Sequence, residues 1–253
     1  MSTDVLAART DPRTSRGPVD PDAVASPAEL RDVAREHGVV AALTALAALH
    51  PVAALPGECV LLPDDVPPPA GAARVGVVAS DDGALVVWRA ARPGAAAADG
   101  ASTVVVEPPA ADDVVRVADA AWRVGVAWVR TGLCERLTEQ AVERLRGRSV
   151  GGTTTVNLAP VRLVLADAAL AHLEAQSLLG RPAAGRAAPV PAATLARVTA
   201  VLDRSSRAVH NLFGASGYVD GEAARLARTI DLLGHASGTL PTGPAGGREE
   251  QHA

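Results

Sequence analysis

The chain of 253 residues is poor in residues on which several classes of protein depend. All 24 of its basic residues are Arg, and it has one Phe, one Tyr, three Trp and two Cys. So few aromatic rings argue against the stacking platforms that bind single-stranded nucleic acid. The two cysteines, Cys59 and Cys134, are far apart and predict buried thiols in a reducing compartment rather than a disulfide framework. The lack of Lys is typical of a GC-rich genome.

The chain also lacks a long uncharged apolar run. A membrane-spanning helix needs about 20 apolar residues, whereas the run 39–49 is shorter and has no basic region just before it. We therefore expect a soluble, cytoplasmic protein without a signal peptide or membrane anchor, whose partners include neither a membrane nor nucleic acid. Apolar residues make up 48% of the chain, which suffices for the core of one or two small domains.

The first half of the chain has a helical segment followed by short β-branched runs. Residues 1–26 lack periodicity and predict a disordered arm. Ser26 as N-cap, followed by Pro27 and by Glu29 at the third helical position, predicts a helix start. Residues 27–55 are accordingly interpreted as a reduced N-terminal helical segment. In residues 56–110, β-branched runs alternate with Pro, Gly and Asp clusters, which predicts a small antiparallel β domain.

Residues 111–240 have helical periodicity throughout. They predict four amphipathic helices, the first of which is expected to stop at the pair Gly151-Gly152. Four such helices joined by short loops favour a four-helix bundle. The predicted fold class is therefore α+β, mainly α, with a disordered tail at 241–253. The predicted core stripes of the four helices are Val117, Ala121, Val124, Trp128, Leu133, Leu137, Ala141 and Leu145; Leu163, Ala166, Leu170 and Leu173; Leu195, Val198, Leu202, Val209 and Phe213; and Ala223, Leu226, Ile230 and Leu233.

Few familiar chemical motifs are present. The six His have no metal-ligand spacing among themselves or with Cys, and there is no P-loop, GxSxG elbow or GxGxxG after a strand. Two stretches of small residues remain as candidates. In "RGRSVGGTTTVN", residues 146–157, a glycine pair precedes a helix start beside Arg148; this favours either a phosphate site or an ordinary capped loop. In "HNLFGASGY", residues 210–218, the small residues allow either a flat ligand to approach or a tight interhelical turn.

Taken together, these stretches resemble the helical C-terminal domain of the acyl-CoA dehydrogenase family of flavoproteins. That family has a helix ending in Arg, a Phe-Gly pair, a helix with Leu-Ala-Asp, a Gln before a Gly-rich turn and Tyr, an Arg-x-x-Arg and a Gly-Thr. The matching positions here are, in order, Arg148, Gly152, Leu165-Ala166-Asp167, Asn211, Gly214, Ala215, Gly217, Tyr218, Arg225, Arg228 and Gly238-Thr239. Within the helix before Arg148, Gly132 also matches a Gly common in the family, and Arg123 matches an Arg near the start of that helix.

The resemblance implies that the FAD of a neighbouring subunit packs against these segments. The Arg would reach its pyrophosphate, and the small-residue turn would lie beside its adenosine portion. The chain would then be part of a homo- or hetero-oligomer with an acyl-CoA dehydrogenase-like subunit, and an acyl thioester would be the class of substrate. The implied cofactor-binding residues are Arg148, Gly152, Asn211, Gly214, Ala215, Gly217 and Thr239.

The chain departs from the family at its catalytic positions. The family's Glu before the Gly-Thr corresponds here to Ser237, whose hydroxyl cannot remove an α-proton of an acyl thioester without an activating base. Some members place the Glu near the start of the long helix, where this chain has Trp122. Gly151 also replaces the usual Phe, and most of the family's N-terminal domain and half of its β domain have no counterpart.

Three functions are therefore compatible with the sequence. The first is an acyl-CoA dehydrogenase-like oxidoreductase, here a shortened subunit that shares an FAD site with a partner. The second is an enzyme of a specialised pathway that uses the same scaffold for other chemistry, with Ser237, His235, Asp231 or His210 in its pocket. The third is a non-catalytic assembly subunit.

Overall fold

The computed structural model describes residues 24–52, 59–90, 109–180, 190–219 and 221–236, and it is mainly helical with a small antiparallel sheet. This confirms the coarse fold class. The predicted arm and tail, apart from residues 24–26, and the β-branched run at 102–106 lie outside the described residues. The elements are α1 (Glu29–His37), α2 (Val39–Leu49), β1 (Cys59–Pro63), β2 (Ala72–Ala79), β3 (Ala84–Ala90), α3 (Pro109–Arg146), β4 (Ser149–Val150), β5 (Thr153–Thr154), α4 (Ala159–Leu179), α5 (Ala192–Asn211) and α6 (Glu222–Ala236).

The predicted start of the first helix is wrong by a few residues. α1 begins at Glu29 rather than at Pro27, and Ala28 at its N-cap makes no side-chain cap hydrogen bond. The Glu29 carboxylate instead reaches back and accepts hydrogen bonds from the Ala25 N–H at 2.8 Å and the Ser26 hydroxyl at 3.1 Å. The expected capping box is therefore not formed, because the backbone donor is Ala25 rather than Ser26 and the Ser26 hydroxyl donates to Glu29 instead of accepting from the helix.

The three larger strands form an antiparallel sheet in the order β1-β3-β2. Its turn between β2 and β3 holds the sheet against the N-terminal helices, because Asp82 Oδ2 accepts a hydrogen bond from the Val40 N–H at 2.9 Å. This satisfies one of the backbone donors that a helix leaves free in its first turn. β1 is buried against α2 and α6.

α3 lies at the centre of the fold and packs against α1, α2, α4, α5 and α6. Successive helices alternate in direction around it. α6 is antiparallel to α3: Gln140 Nε2 donates to Glu222 Oε1 at 2.8 Å near the start of α6, whereas Arg130 Nε, earlier in α3, donates at 3.0 Å to the carbonyl of Ile230, later in α6. The predicted core stripes in the second half of α3, in α5 and in α6 are largely confirmed, although α5 ends at Asn211, before Phe213.

The predicted core stripe of α4 is wrong. Leu163, Leu170 and Leu173 are 63%, 64% and 60% exposed, and Ala166 is exposed as well. The residues that α4 buries lie on the opposite face, where Ala168, His172, Ala175 and Leu179 contact the core. Both faces are apolar, so periodicity alone did not determine which one faces inward.

The glycine pair does not end α3. The helix stops at Arg146, and Gly151 and Gly152, with φ of 58° and 82°, form the two-residue turn of the β4–β5 hairpin. Both positions have positive φ, as the type I′ turn of a short hairpin requires.

Candidate cofactor site at the end of the helices

The two segments predicted to contact a cofactor lie at the same end of the helical assembly. α4 is antiparallel to α5, because Glu174 pairs with Arg197 whereas His172, two residues earlier, lies 3.3 Å from Ser205, eight residues further along α5. α4 is also antiparallel to α3, because only residues 147–158 connect the two helices and Gln176, late in α4, donates to Glu135, well before the end of α3. α3 and α5 therefore run in the same direction. The hairpin after α3 and the GASG turn after α5 therefore follow neighbouring helix ends, although about 60 residues separate them in the sequence.

The hairpin presents Arg148 to solvent. The Arg148 side chain is exposed. The backbone carbonyl of Arg148 accepts two hydrogen bonds from Thr155, one from its N–H at 2.7 Å and one from its hydroxyl at 3.1 Å. These bonds fix the backbone of Arg148 while its guanidinium remains accessible. An ideal Cβ placed on Gly151 or Gly152 would meet nothing within 4 Å, so the face of the turn is open.

The GASG turn is a 3-10 segment, Gly214–Gly217, whose rare residues mainly contact one another. The His210 Nε2 lies 2.8 Å from the Gly217 carbonyl oxygen. The Tyr218 hydroxyl donates to Asn211 Oδ1 at 3.0 Å, and the His210 and Tyr218 rings are 5.2 Å apart. The chain's only Phe, Phe213, and its only Tyr, Tyr218, both lie in this stretch, and the contacts of Tyr218 with His210 and Asn211 close the turn.

The predicted contact residues divide into open and closed positions. Gly214 and Ala215 are exposed, and a Cβ on Gly214 would meet nothing within 4 Å. Gly217 is buried instead, since a Cβ there would lie 2.9 Å from the Cβ of Phe213 and 3.1 Å from His210 Nε2. Asn211 is exposed, but its amide oxygen already accepts the Tyr218 hydroxyl. Arg148, Gly152, Gly214 and Ala215 are therefore the open positions, whereas Gly217 serves internal packing.

The implied catalytic positions do not form a described active site. Ser237 and Thr239 lie outside the described residues. Trp122, at the alternative Glu position, is 1% exposed and lies in the core beside Leu61 and Leu233. The cavity beside it measures about 10 Å³, at most the space of one water molecule.

A buried ion pair that the sequence did not reveal connects three helices. Arg130 of α3 is 1% exposed, contacts the carboxylate of Asp203 on α5, and donates to the Ile230 carbonyl of α6 at 3.0 Å. An ideal Cβ on Gly234 would lie 2.8 Å from the guanidinium, so the close approach of α6 requires a glycine there. Arg130 lies on the buried side of α3, where a periodicity argument expects an apolar residue.

A second polar pair lies between α4 and α5. His172 is 5% exposed, and burial, followed by the positive charge of Arg31, lowers its pKa to about 4. The imidazole is therefore neutral at pH 7. Ser205 lines a groove of about 330 Å³ between the two helices. Both residues lie within helices, where the backbone N–H groups bond within the helix, so the pair has no oxyanion hole of the kind that acyl transfer uses.

A buried carboxylate lies where the sheet meets α3. The Asp81 side chain is fully buried, and its Oδ2 is 3.1 Å from Arg136 Nη2, which also lies 3.8 Å from Glu222 Oε1. Burial raises the pKa of Asp81, and the charge of Arg136 opposes the shift. The contact joins the β2–β3 turn to α3.

The described ranges contain neither a metal-binding cluster nor a membrane-spanning helix. No group of three or more His, Cys, Asp or Glu there has an arrangement that could hold a metal ion. None of the helices described is both long enough and apolar enough to cross a membrane. The chain matches no protein-family model and no curated protein.

Proposed function

We propose that the chain is a subunit of an acyl-CoA dehydrogenase-like flavoprotein oxidoreductase. In this proposal α3, α4, α5 and α6 act as a four-helix bundle whose end, with the Arg148 hairpin and the GASG turn, completes an FAD site on a partner chain. Bound FAD would supply the redox chemistry, and this chain would orient and shield it.

One observation carries the proposal: two segments singled out by the resemblance, and distant in sequence, follow the ends of α3 and α5, which run in the same direction. Arg148 is exposed there on a backbone held by Thr155, and Gly152 and Gly214 leave their surroundings free of side chains. A guanidinium offers a planar fork to a pyrophosphate. Backbone without a Cβ lets a flat adenosine portion approach closely.

The same geometry favours a subunit that is silent in catalysis. The position of the family's alternative Glu is occupied by Trp122 in the core, beside a cavity too small for a substrate. No carboxylate stands there to remove a proton, so the proton transfer would be made by the partner chain. An enzyme with other chemistry on this scaffold, and a subunit kept for assembly alone, are the two competing functions.

The test compares flavin binding by variants of the chain, alone and co-expressed with any full-length acyl-CoA dehydrogenase-like subunit that a neighbouring gene encodes. We expect a bound-flavin absorption spectrum in the joint preparation. Arg148→Ala should weaken FAD binding about tenfold or more, because a hydrogen bond to a charged group contributes about 1.5–3 kcal/mol. Arg74→Ala is the matched control, because Arg74 lies on β2 of the sheet.

The outcomes separate the three functions. Flavin bound by the pair and weakened only by Arg148→Ala supports the proposed shared site. Flavin retained at full affinity by Arg148→Ala contradicts the site assignment. A pair that forms but never binds flavin leaves the assembly function, and activity without flavin favours the repurposed enzyme.

A further inference from the structure

Two adjacent aspartates in the turn between β2 and β3 have opposite surroundings. Asp82 is hydrogen-bonded through both oxygens, since Oδ2 accepts from the Val40 N–H at 2.9 Å and Oδ1 from the Ser80 hydroxyl at 2.8 Å. The Asp81 side chain is 0% exposed, yet among the described residues no group donates a hydrogen bond of ordinary geometry to either of its oxygens. A buried carboxylate without hydrogen bonds is costly to keep ionised, whereas Asp82 is stabilised in its ionised form.

The charged groups that act on Asp81 come from α3, from α6 and from the turn itself. Arg136 of α3 places Nη2 3.1 Å from Asp81 Oδ2 and 3.8 Å from Oε1 of Glu222 on α6, so two carboxylates share its guanidinium. Burial raises the pKa of Asp81, the charge of Arg136 opposes this, and the charges of Asp82 and Glu222 raise it further. The backbone N–H of Asp81 lowers the pKa as well, but by less than Arg136 does.

The same turn attaches the far end of the β2–β3 hairpin to the helices. β2 is an edge strand that pairs with β3 alone, and most of its residues are exposed or half-buried. The turn, in contrast, contacts the start of α2 through Asp82 and the middle of α3 through Asp81. Segments with few buried contacts open locally without unfolding of the whole chain. Opening of this turn would return the Asp81 carboxylate to water.

We propose that residues 80–83 form a proton-sensitive latch between the sheet and the helices, which is held closed by protonated Asp81 and opens more often when Asp81 is ionised. The latch is a conformational device that the proposed FAD site does not use. It is tested without flavin, so its failure and that of the FAD proposal can be told apart.

The latch should be tightest in acid. In the closed turn the pKa of Asp81 lies above the ordinary value of 3.8, so the closed turn binds the proton more readily than the open one. The stability of the closed turn is therefore fully present below that ordinary value and is lost as the pH rises through the raised pKa. The equilibrium constant for opening should rise by at most about tenfold per pH unit in this window and level off above it.

Hydrogen exchange of the full chain measures this opening. The N–H groups of Ser80 and Gly83 report on it, because they bond to the Gly83 carbonyl at 2.8 Å and to the Ser80 hydroxyl at 3.0 Å. Their protection, corrected for the intrinsic pH dependence of exchange, is compared across the acid-to-neutral range with that of the buried residues 125–134 of α3. In wild type the turn should lose protection as the pH rises, and α3 should lose less.

Asp81→Asn separates the charge from the shape of the side chain. Asn cannot ionise, so the protection of the turn relative to α3 should no longer change with pH. Asp65→Asn is the matched control, because Asp65 is an exposed acid in the turn after β1, and this variant should follow the wild-type profile.

Arg136→Gln should have the opposite effect on the profile. It removes the positive charge that lowers the pKa of Asp81, so the loss of protection should extend to higher pH and be larger in total. A contact with a purely structural role would instead lower protection by the same factor at every pH.

Three results would overturn the proposal. One is protection of the wild-type turn that does not change with pH. Another is an Asp81→Asn variant with the wild-type pH dependence or, should that variant fail to fold, an Arg136→Gln profile that runs parallel to that of wild type. The third is a loss of protection that is equally large in residues 125–134, which would mean unfolding of the whole chain rather than opening of the turn.

Discussion

α3 and α4 are both rich in Leu, Ala and Val, but they lie in different surroundings. Every residue of α3 from 125 to 134 is buried, because five other helices pack around it. α4 buries one face only, and its buried residues are small or polar apart from Leu179. The large side chains that a periodicity argument assigns to the core are on its exposed face.

The comparison teaches that close helix packing depends on small residues more than on large ones. Gly132 of α3 leaves no room for a Cβ, which would overlap the Arg31 carbonyl of α1, and Gly125 likewise admits a Leu46 side chain of α2. α4 approaches its neighbours through Ala168 and Ala175. A stripe of leucines indicates an apolar helix face, but it does not identify what covers that face.

The largest change in the free energy of unfolding is expected at the buried ion pair between Arg130 of α3 and Asp203 of α5. Asp203→Ala should lower the free energy of unfolding by about 3–5 kcal/mol, because it leaves the buried Arg130 guanidinium without its counter-charge. The measurement is urea unfolding. Arg197→Ala breaks the exposed pair with Glu174 and should cost at most about 1 kcal/mol. Equal losses in the two variants would mean that Arg130 reaches water.

The next largest effect is a pH dependence of stability that arises from His172 on the buried face of α4. The pKa of His172 is lowered from 6.5 to about 4, so the unfolded chain binds the proton more readily than the folded one. The neutral imidazole therefore contributes stability that is fully present above pH 6.5 and is lost as the pH falls towards 4. The loss amounts to at most about 3 kcal/mol, at about 1.4 kcal/mol per pKa unit.

His172→Gln should remove this pH dependence. The raised pKa of buried carboxyls such as Glu135 has the opposite effect on stability, because it stabilises the folded chain as the pH falls. To isolate the contribution of His172, the free energies of unfolding of variant and wild type are compared at each pH in urea. The stability advantage of wild type should shrink between pH 6.5 and 4. A Gln variant of the exposed His235 should keep the wild-type profile. A wild-type advantage that does not change with pH would contradict the burial of a neutral imidazole.

A smaller effect is expected at the contact of α1 with α3. Gly132→Ala gains about 1 kcal/mol of helix propensity, but its Cβ would overlap the Arg31 carbonyl. Overpacking costs about 1–3 kcal/mol, and a backbone oxygen cannot turn aside as a side chain can. Net destabilisation is therefore expected in thermal unfolding. Gly76→Ala on β2, where a Cβ would meet nothing within 4 Å, should stay within about 0.5 kcal/mol of wild type.

The sequence predicts those elements in which a single face is apolar. α5 and α6 have one apolar stripe each, and Leu202 and Ile230 are buried as expected. The three larger strands follow from β-branched runs between turn residues. α4 is apolar on two faces, so its orientation depends on neighbours that a local pattern does not contain.

The placing of the candidate site was predictable from the sequence, but its internal contacts were not. That the Arg148 hairpin and the GASG turn share an end follows from the alternating directions of successive helices. The internal roles of Asn211 and Gly217 do not, because hydrogen bonds across a turn depend on its exact backbone path. The Arg130–Asp203 pair was missed since a buried charge runs against the rule that the core side of a helix is apolar.

The smallest effect tests the two faces of α4 directly. Leu173→Gln should change the free energy of unfolding by no more than about 0.5 kcal/mol at low protein concentration, because its side chain is 60% exposed. Ala175→Gln, two residues further on at a fully buried position, should cost about 2 kcal/mol or more from overpacking and an unpaired amide. Equal costs in these two variants would mean that α4 is rotated and that its leucines do face the core.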